Sequence, residues 1–150
     1  MKKLITILTT LALIVGAMGV QVFAAETESS VSVTVSISDG TIVMAQKTVT
    51  VTDVDEDGAI TINDALYLAH ELAFEGGAEA GYQSEMGDYG LMLTKLWGIE
   101  NGGSYGYYVN NTAAMSLGDV ISDGDSIYAF VYSDTENFSD TYCFFDQEKV

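Results

Sequence analysis

From residue 31 the chain alternates strictly between apolar and polar positions. Val31, Val33, Val35 and Ile37 fall on one side, with serines and a threonine on the other. A period of two sends successive side chains to opposite faces, so residues 31–38 predict a half-buried strand. Asp39-Gly40 is a turn signal that fits a hairpin. Residues 41–52 predict the second strand, where Val49 and Val51 alternate with Thr48, Thr50 and Thr52. The period then changes. Ile62, Ala65, Leu66, Ala69 and Ala73 recur at helical spacing, which predicts a helix over 62–74 with one apolar stripe. Asp64 falls opposite that stripe and is expected to point away from the core, near the helix N-terminus.

Gly76-Gly77 ends the helix. Residues 75–90, rich in glycine and acids, read as a loop with room for a short helix. Residues 91–99 and 105–110 read as two further strands, joined by the turn Asn101-Gly102-Gly103-Ser104 and expected to form a hairpin. A connector over 111–120 and a turn at Asp123-Gly124-Asp125 follow. In 126–133, Ile127, Ala129 and Val131 alternate with Tyr128, Phe130 and Tyr132, so both faces are apolar, as a central strand requires. Residues 141–145 suggest a last edge strand. Two strands, one helix and then three strands is an α+β order. It predicts a β-grasp-like mixed sheet with one main helix packed on it, after an N-terminal signal peptide.

That signal peptide is read over 1–25: Lys2 and Lys3, an apolar run, then Val22-Phe23-Ala24 before Ala25 as small-residue cleavage positions. Cleavage after 24 or 25 makes the protein secreted; without cleavage the same run is a membrane anchor. Residues 26–30 form a polar linker, and 31–150 a single domain. The charge is −17, and beyond the leader only Lys47, Lys95 and Lys149 face 22 acidic residues. No arginine is present. Nucleic acid and anionic membrane surfaces are poor partners for such a surface. The lone Cys143 forbids an internal disulfide.

The junction between the second strand and the helix carries the most specific chemistry. Asp53-Val54-Asp55-Glu56-Asp57-Gly58-Ala59-Ile60-Thr61-Ile62-Asn63-Asp64 has the spacing of an EF-hand-type calcium loop. Calcium takes six to eight oxygens, so a peptide must wrap round it. Asp53, Asp55 and Asp57 offer carboxylates at positions 1, 3 and 5. Gly58 permits the sharp turn, Ala59 offers its carbonyl, Thr61 binds directly or through water, and Asp64 closes the loop at position 12. Ile60 anchors it to the core. A strand precedes this loop where an EF-hand has a helix.

The aspartate at position 12 makes the loop and helix resemble half of a dockerin, with one loop where dockerins carry two. From residue 38 onward the chain also resembles the transcobalamin-C-terminal-like domain. Three segments carry that resemblance: Thr61-Ile62-Asn63-Asp64-Ala65-Leu66, Tyr107-Tyr108-Val109-Asn110-Asn111, and Asp123-Gly124-Asp125-Ser126-Ile127-Tyr128. The resemblance implies a β-grasp-like fold, and a cobamide as one candidate ligand.

Trp97, Tyr105, Tyr107 and Tyr108 form an aromatic set able to stack on a sugar ring or a flat ligand, or to pack across strands. His70, the single histidine, and Cys143 have no partners that the sequence assigns; His70 is read as a structural or surface residue and Cys143 as a buried thiol. No serine has the glycine context of a nucleophile elbow. The expectation is a secreted, non-enzymatic domain that holds calcium in a mainly structural role. The alternative is an extracellular module that binds a glycan, a cobamide or a surface protein through the aromatic strand.

Overall fold

A computed structural model describes residues 29–100 and 102–140. The leader, Cys143 and the edge strand expected at 141–145 lie outside the described residues. The elements run β1 (Val31–Ser38), β2 (Ile42–Val51), α1 (Ile62–Ala73), α2 (Gly77–Gly81), β3 (Gln83–Gly87), β4 (Gly90–Lys95), β5 (Tyr105–Val109), β6 (Thr112–Ala113) and β7 (Ser126–Val131).

Five strands form one mixed sheet in the order β2-β1-β7-β5-β6. β1 pairs antiparallel with β2 and parallel with β7, while β7 pairs antiparallel with β5. Among the described residues the first and last strands are thus neighbours inside the sheet, and α1 packs on β1 and β2. This is the expected α+β, β-grasp-like arrangement. The valine face of β1 turns inward: Val33, Val35 and Ile37 are buried, as are Ile127, Ala129 and Val131 of β7 and Ile62, Ala65, Leu66 and Ala69 of α1. Ala73, expected on the same stripe, is exposed at the end of the helix. The central position of β7 accounts for its two apolar faces. Tyr128 and Phe130 are buried on the face away from Ile127 and Ala129.

The β1–β2 register shifts between Val35 and Ile37. Gln46 takes up the irregularity with φ +43, and its N–H donates to Ser36 Oγ at 3.0 Å.

Two expectations are corrected. The glycine- and acid-rich stretch is not merely a loop: it holds α2 and β3. The strand at 90–95 pairs antiparallel with β3 in a separate two-stranded sheet, not with β5. The chain leaves β4 through a tight reversal in which Leu96 and Ile99 bridge. Trp97 sits there with φ +52, followed by Gly98 with φ +77. Leu96 is fully buried. This reversal breaks the run that reads as one strand over 91–99.

Candidate metal site

β2 ends at Val51, whose side chain is buried, and the chain turns outward through Asp53. Asp53 organises the turn. Its Oδ1 accepts the Asp57 N–H at 3.1 Å, and its Oδ2 accepts the Gly58 N–H at 2.8 Å. Asp57 Oδ1 accepts the Ala59 N–H at 2.9 Å, an Asx-type turn. Glu56 and Gly58 both take left-handed backbone, with φ +58 and +91. Glycine has no Cβ to oppose that conformation. As a result, carboxylate oxygens of Asp53, Asp55 and Asp57 lie within 4.8 Å of one another, and the three residues face solvent or its edge.

The far side of the loop is fastened to the body. The Ile60 carbonyl accepts the Ile121 N–H at 3.0 Å, and Thr61 bridges Val120. The carbonyls of Asp119 and Leu117 accept the N–H groups of Ile62 and Asn63 at 3.2 and 2.9 Å. The first helical N–H groups, which lack intrahelical partners, are therefore satisfied by the segment before β7.

Asp64 lies opposite the apolar stripe, yet it is not exposed: it is fully buried. At the third helical position it reaches back. Its Oδ2 accepts the Thr61 N–H and the Thr61 hydroxyl, each at 2.8 Å, and its Oδ1 accepts the Val54 N–H at 2.9 Å. At the first turn of α1 the side opposite the apolar stripe is covered by the loop itself, which a helical wheel does not register. Asp64 and Thr61 thus form a cap under the loop, while Asp53, Asp55 and Asp57 form the open carboxylate group above it. Ala59 sits half-buried between them.

Asp55 connects the loop to a part of the chain that sequence reasoning missed. Its Oδ2 accepts the Asn63 side-chain N–H at 3.0 Å. Asn63 Oδ1 in turn accepts the Tyr82 hydroxyl at 2.7 Å and the Ser84 hydroxyl at 2.9 Å. Burial, then the charges of Asp64 and Asp57, raise the Asp55 carboxyl above its ordinary 3.8, with the Asn63 bond opposing them. The Tyr82 phenol is pushed well up, mainly by burial.

Tyr82 belongs to an aromatic cluster on α1. Its ring lies 5.2 Å from that of His70, and Trp97 lies 5.2 Å from His70 on another side, in edge contact with Phe74 at 5.2 Å. His70 is fully buried. Its Nε2 accepts the Trp97 N–H at 3.0 Å, so Nδ1 carries the proton and donates to the Leu66 carbonyl at 2.6 Å. Both ring nitrogens are used, and burial lowers its pKa from the ordinary 6.5. The structural reading of His70 holds.

The aromatic set does not form a row. Trp97 packs in the α1 cluster. Tyr105 is buried, with its hydroxyl 2.8 and 2.9 Å from the carbonyl oxygens of Thr94 and Ile99. Tyr107 is half-buried on the same face. Tyr108 faces the other way and stacks on Phe130 at 6.0 Å. Tyr105 and Tyr107 remain together, lining an open cleft of about 280 Å³.

No helix among the described residues is long and apolar enough to cross a membrane. No protein-family model matches the chain, and no curated protein matches it.

Proposed function

We infer that this is a secreted, non-enzymatic domain whose Asp53–Asp55–Asp57 group binds a calcium ion in a mainly structural role. The observation that carries the reading is the convergence of three carboxylates within 4.8 Å in a loop whose own N–H groups hold them in place. Like charges at that spacing repel, and a divalent cation removes the repulsion. Among the described residues no lysine does so: the ion pair present is Lys95–Glu100, at 3.1 Å. An all-oxygen donor set suits a hard cation, and the loop's size and open side suit calcium better than octahedral magnesium. The Ala59 carbonyl, Thr61 and water would complete the shell, with Asp64 fixing the loop from below. The ion would tie the end of β2 to the start of α1.

The test is thermal unfolding after chelation, with calcium restored at millimolar concentration and magnesium as control. A ligand held only by the folded state raises its stability by about 2.7 kcal/mol at a hundred times its Kd. A calcium-specific rise in Tm, abolished by Asp53→Ala, supports the site. No shift, with no heat of binding, removes it.

A second reading, an extracellular ligand or adhesion surface, is favoured by the cleft that Tyr105 and Tyr107 line. The resemblances to dockerin loops and to the transcobalamin-like domain bear on these readings as proposals about origin, the first on the cation and the second on a cobamide ligand.

A further inference from the structure

The cleft lies between the β3–β4 hairpin and the β5–β6 edge of the main sheet. Its walls are Tyr89, Leu91, Met92, Tyr105, Tyr107 and Met115. Two of these stand out in solvent, Tyr89 at 90% and Met115 at 78% of full exposure. Large apolar side chains so exposed on adjoining loops mark an interaction surface. The loop that carries Met115 is fixed against the hairpin, because the Leu117 N–H donates to the Leu91 carbonyl at 2.8 Å and Ser116 Oγ donates to the same carbonyl at 3.3 Å. The walls are therefore set by backbone, while methionine and leucine side chains supply an adaptable lining.

The rim is acidic. Asp119 Oδ2 accepts the Met115 N–H at 3.1 Å, which holds a carboxylate at the mouth. It is close enough to Tyr107 that its charge adds to burial in raising the phenol's pKa. Asp88 precedes Tyr89 in the hairpin turn, and Glu85 is the cross-strand partner of Met92. All three carboxylates are exposed. The lysines among the described residues are Lys47, on the edge strand β2 far across the sheet, and Lys95, paired with Glu100.

We propose that this cleft docks a polypeptide segment that combines basic residues with aliphatic side chains. The apolar walls take the aliphatic groups, and Asp119, Asp88 and Glu85 meet the cations. Charge complementarity excludes a second copy of this chain, whose net charge is −17. The Met- and Leu-rich lining, with few polar groups to read hydroxyls, favours a peptide over a sugar. The proposal narrows the second reading above and is independent of the cation.

The experiment uses the whole protein with calcium present and three synthetic peptides: alternating lysine and leucine, alternating glutamate and leucine, and alternating lysine and glycine. Affinity is read by calorimetry at low and high salt. The lysine–leucine peptide binds and the other two do not. Met115→Ala and Tyr89→Ala, at exposed positions that leave Tm unchanged, each weaken it by about tenfold, roughly the loss of one buried apolar contact. Glu85→Gln with Asp88→Asn lowers the salt dependence, whereas Asp39→Asn with Glu79→Gln, outside the cleft, does not. Equal binding by wild type and Met115→Ala, or equal binding of the lysine–glycine peptide, would reduce the effect to general charge attraction and overturn the proposal. Binding of a neutral oligosaccharide or a cobamide that depends on Tyr107, with no peptide binding, would overturn it while keeping the second reading.

Discussion

Asp64 Oδ1 accepts the Val54 N–H at 2.9 Å across ten residues of chain, so the first turn of α1 grips the entry to the carboxylate loop from beneath. This assigns Asp64 a different task from the three aspartates above it. Asp64→Ala leaves the Thr61 N–H and hydroxyl without their acceptor in a buried site, and the Val54 N–H without its acceptor in a half-buried one. Each such loss costs about 1–3 kcal/mol, so the variant should lose about 2–5 kcal/mol in chelator and in calcium alike. Asp53→Ala frees two N–H groups at the exposed surface and should cost at most about 1 kcal/mol in chelator, but forfeit the calcium gain. Denaturant unfolding of both variants, with and without calcium, checks this. A Asp64→Ala penalty present only with calcium would refute it.

Asp55 provides the pH test. Its carboxyl is raised by burial, Asp64 and Asp57, so the folded state binds its proton more tightly than the unfolded state does. Stability from this group is therefore lowest when it is ionised, and recovers as pH falls through its raised pKa. In chelator at pH 7, Asp55→Asn should melt above wild type, because an amide keeps the acceptor for Asn63 without the charge. The difference should close on acidification, and the variant should gain little from calcium. A lower melting temperature for Asp55→Asn in chelator at pH 7 would contradict the account.

His70 runs the other way. Burial depresses its pKa below 6.5, so the unfolded chain takes up the proton first. Its contribution is complete above that value and is lost as pH falls below it. His70→Gln should be less stable throughout, since the bonds to Trp97 and Leu66 are weakened. Its melting temperature should also change less between pH 7.5 and about pH 5 than that of wild type. Parallel pH profiles would show that the ring is not held neutral.

Asn63 links the carboxylate loop to the hairpin through Asp55, Tyr82 and Ser84. Asn63→Ala removes the acceptor shared by the Tyr82 and Ser84 hydroxyls, at about 1–3 kcal/mol, and lets Asp55 move. Groups that orient a metal ligand typically affect affinity by 10–100-fold, so the calcium Kd should rise by about tenfold. Hydrogen exchange should also quicken in β3. An unchanged Kd would leave Asn63 with a packing role alone.

What the sequence made legible was whatever a local period encodes. The valine alternation of β1, the Ile62–Ala69 stripe and the doubly apolar β7 each followed from side-chain spacing, and the carboxylate loop from spacing of donor types. What it hid was long-range. Gln83-Ser84-Glu85-Met86 has no alternation to rank it as a strand, and it becomes one because β4 offers a partner and Asn63 an anchor for Ser84. Asp64 looked exposed because a wheel drawn on one helix cannot include a loop ten residues upstream that folds over it. Of the aromatic set, the period of two separates Tyr108 from Tyr105 and Tyr107, as the structure has it, whereas the withdrawal of Trp97 by its N–H bond to His70 is long-range.

The parallel pairing of β1 with β7 joins Thr34 to Ser126 at the centre of the sheet. Until Ser126–Val131 arrives, β1 has a neighbour on one side alone and β5 lacks its link to the β1–β2 hairpin. The sheet therefore closes late, after a long loop has been ordered, which makes for slow folding. A chain growing from its N-terminus keeps this sheet in two parts until residues 126–131 have been added. Cut short before Ser126, the described elements would leave α1 on the β1–β2 hairpin, with the β5–β6 pair cut off from it for want of the strand that joins them.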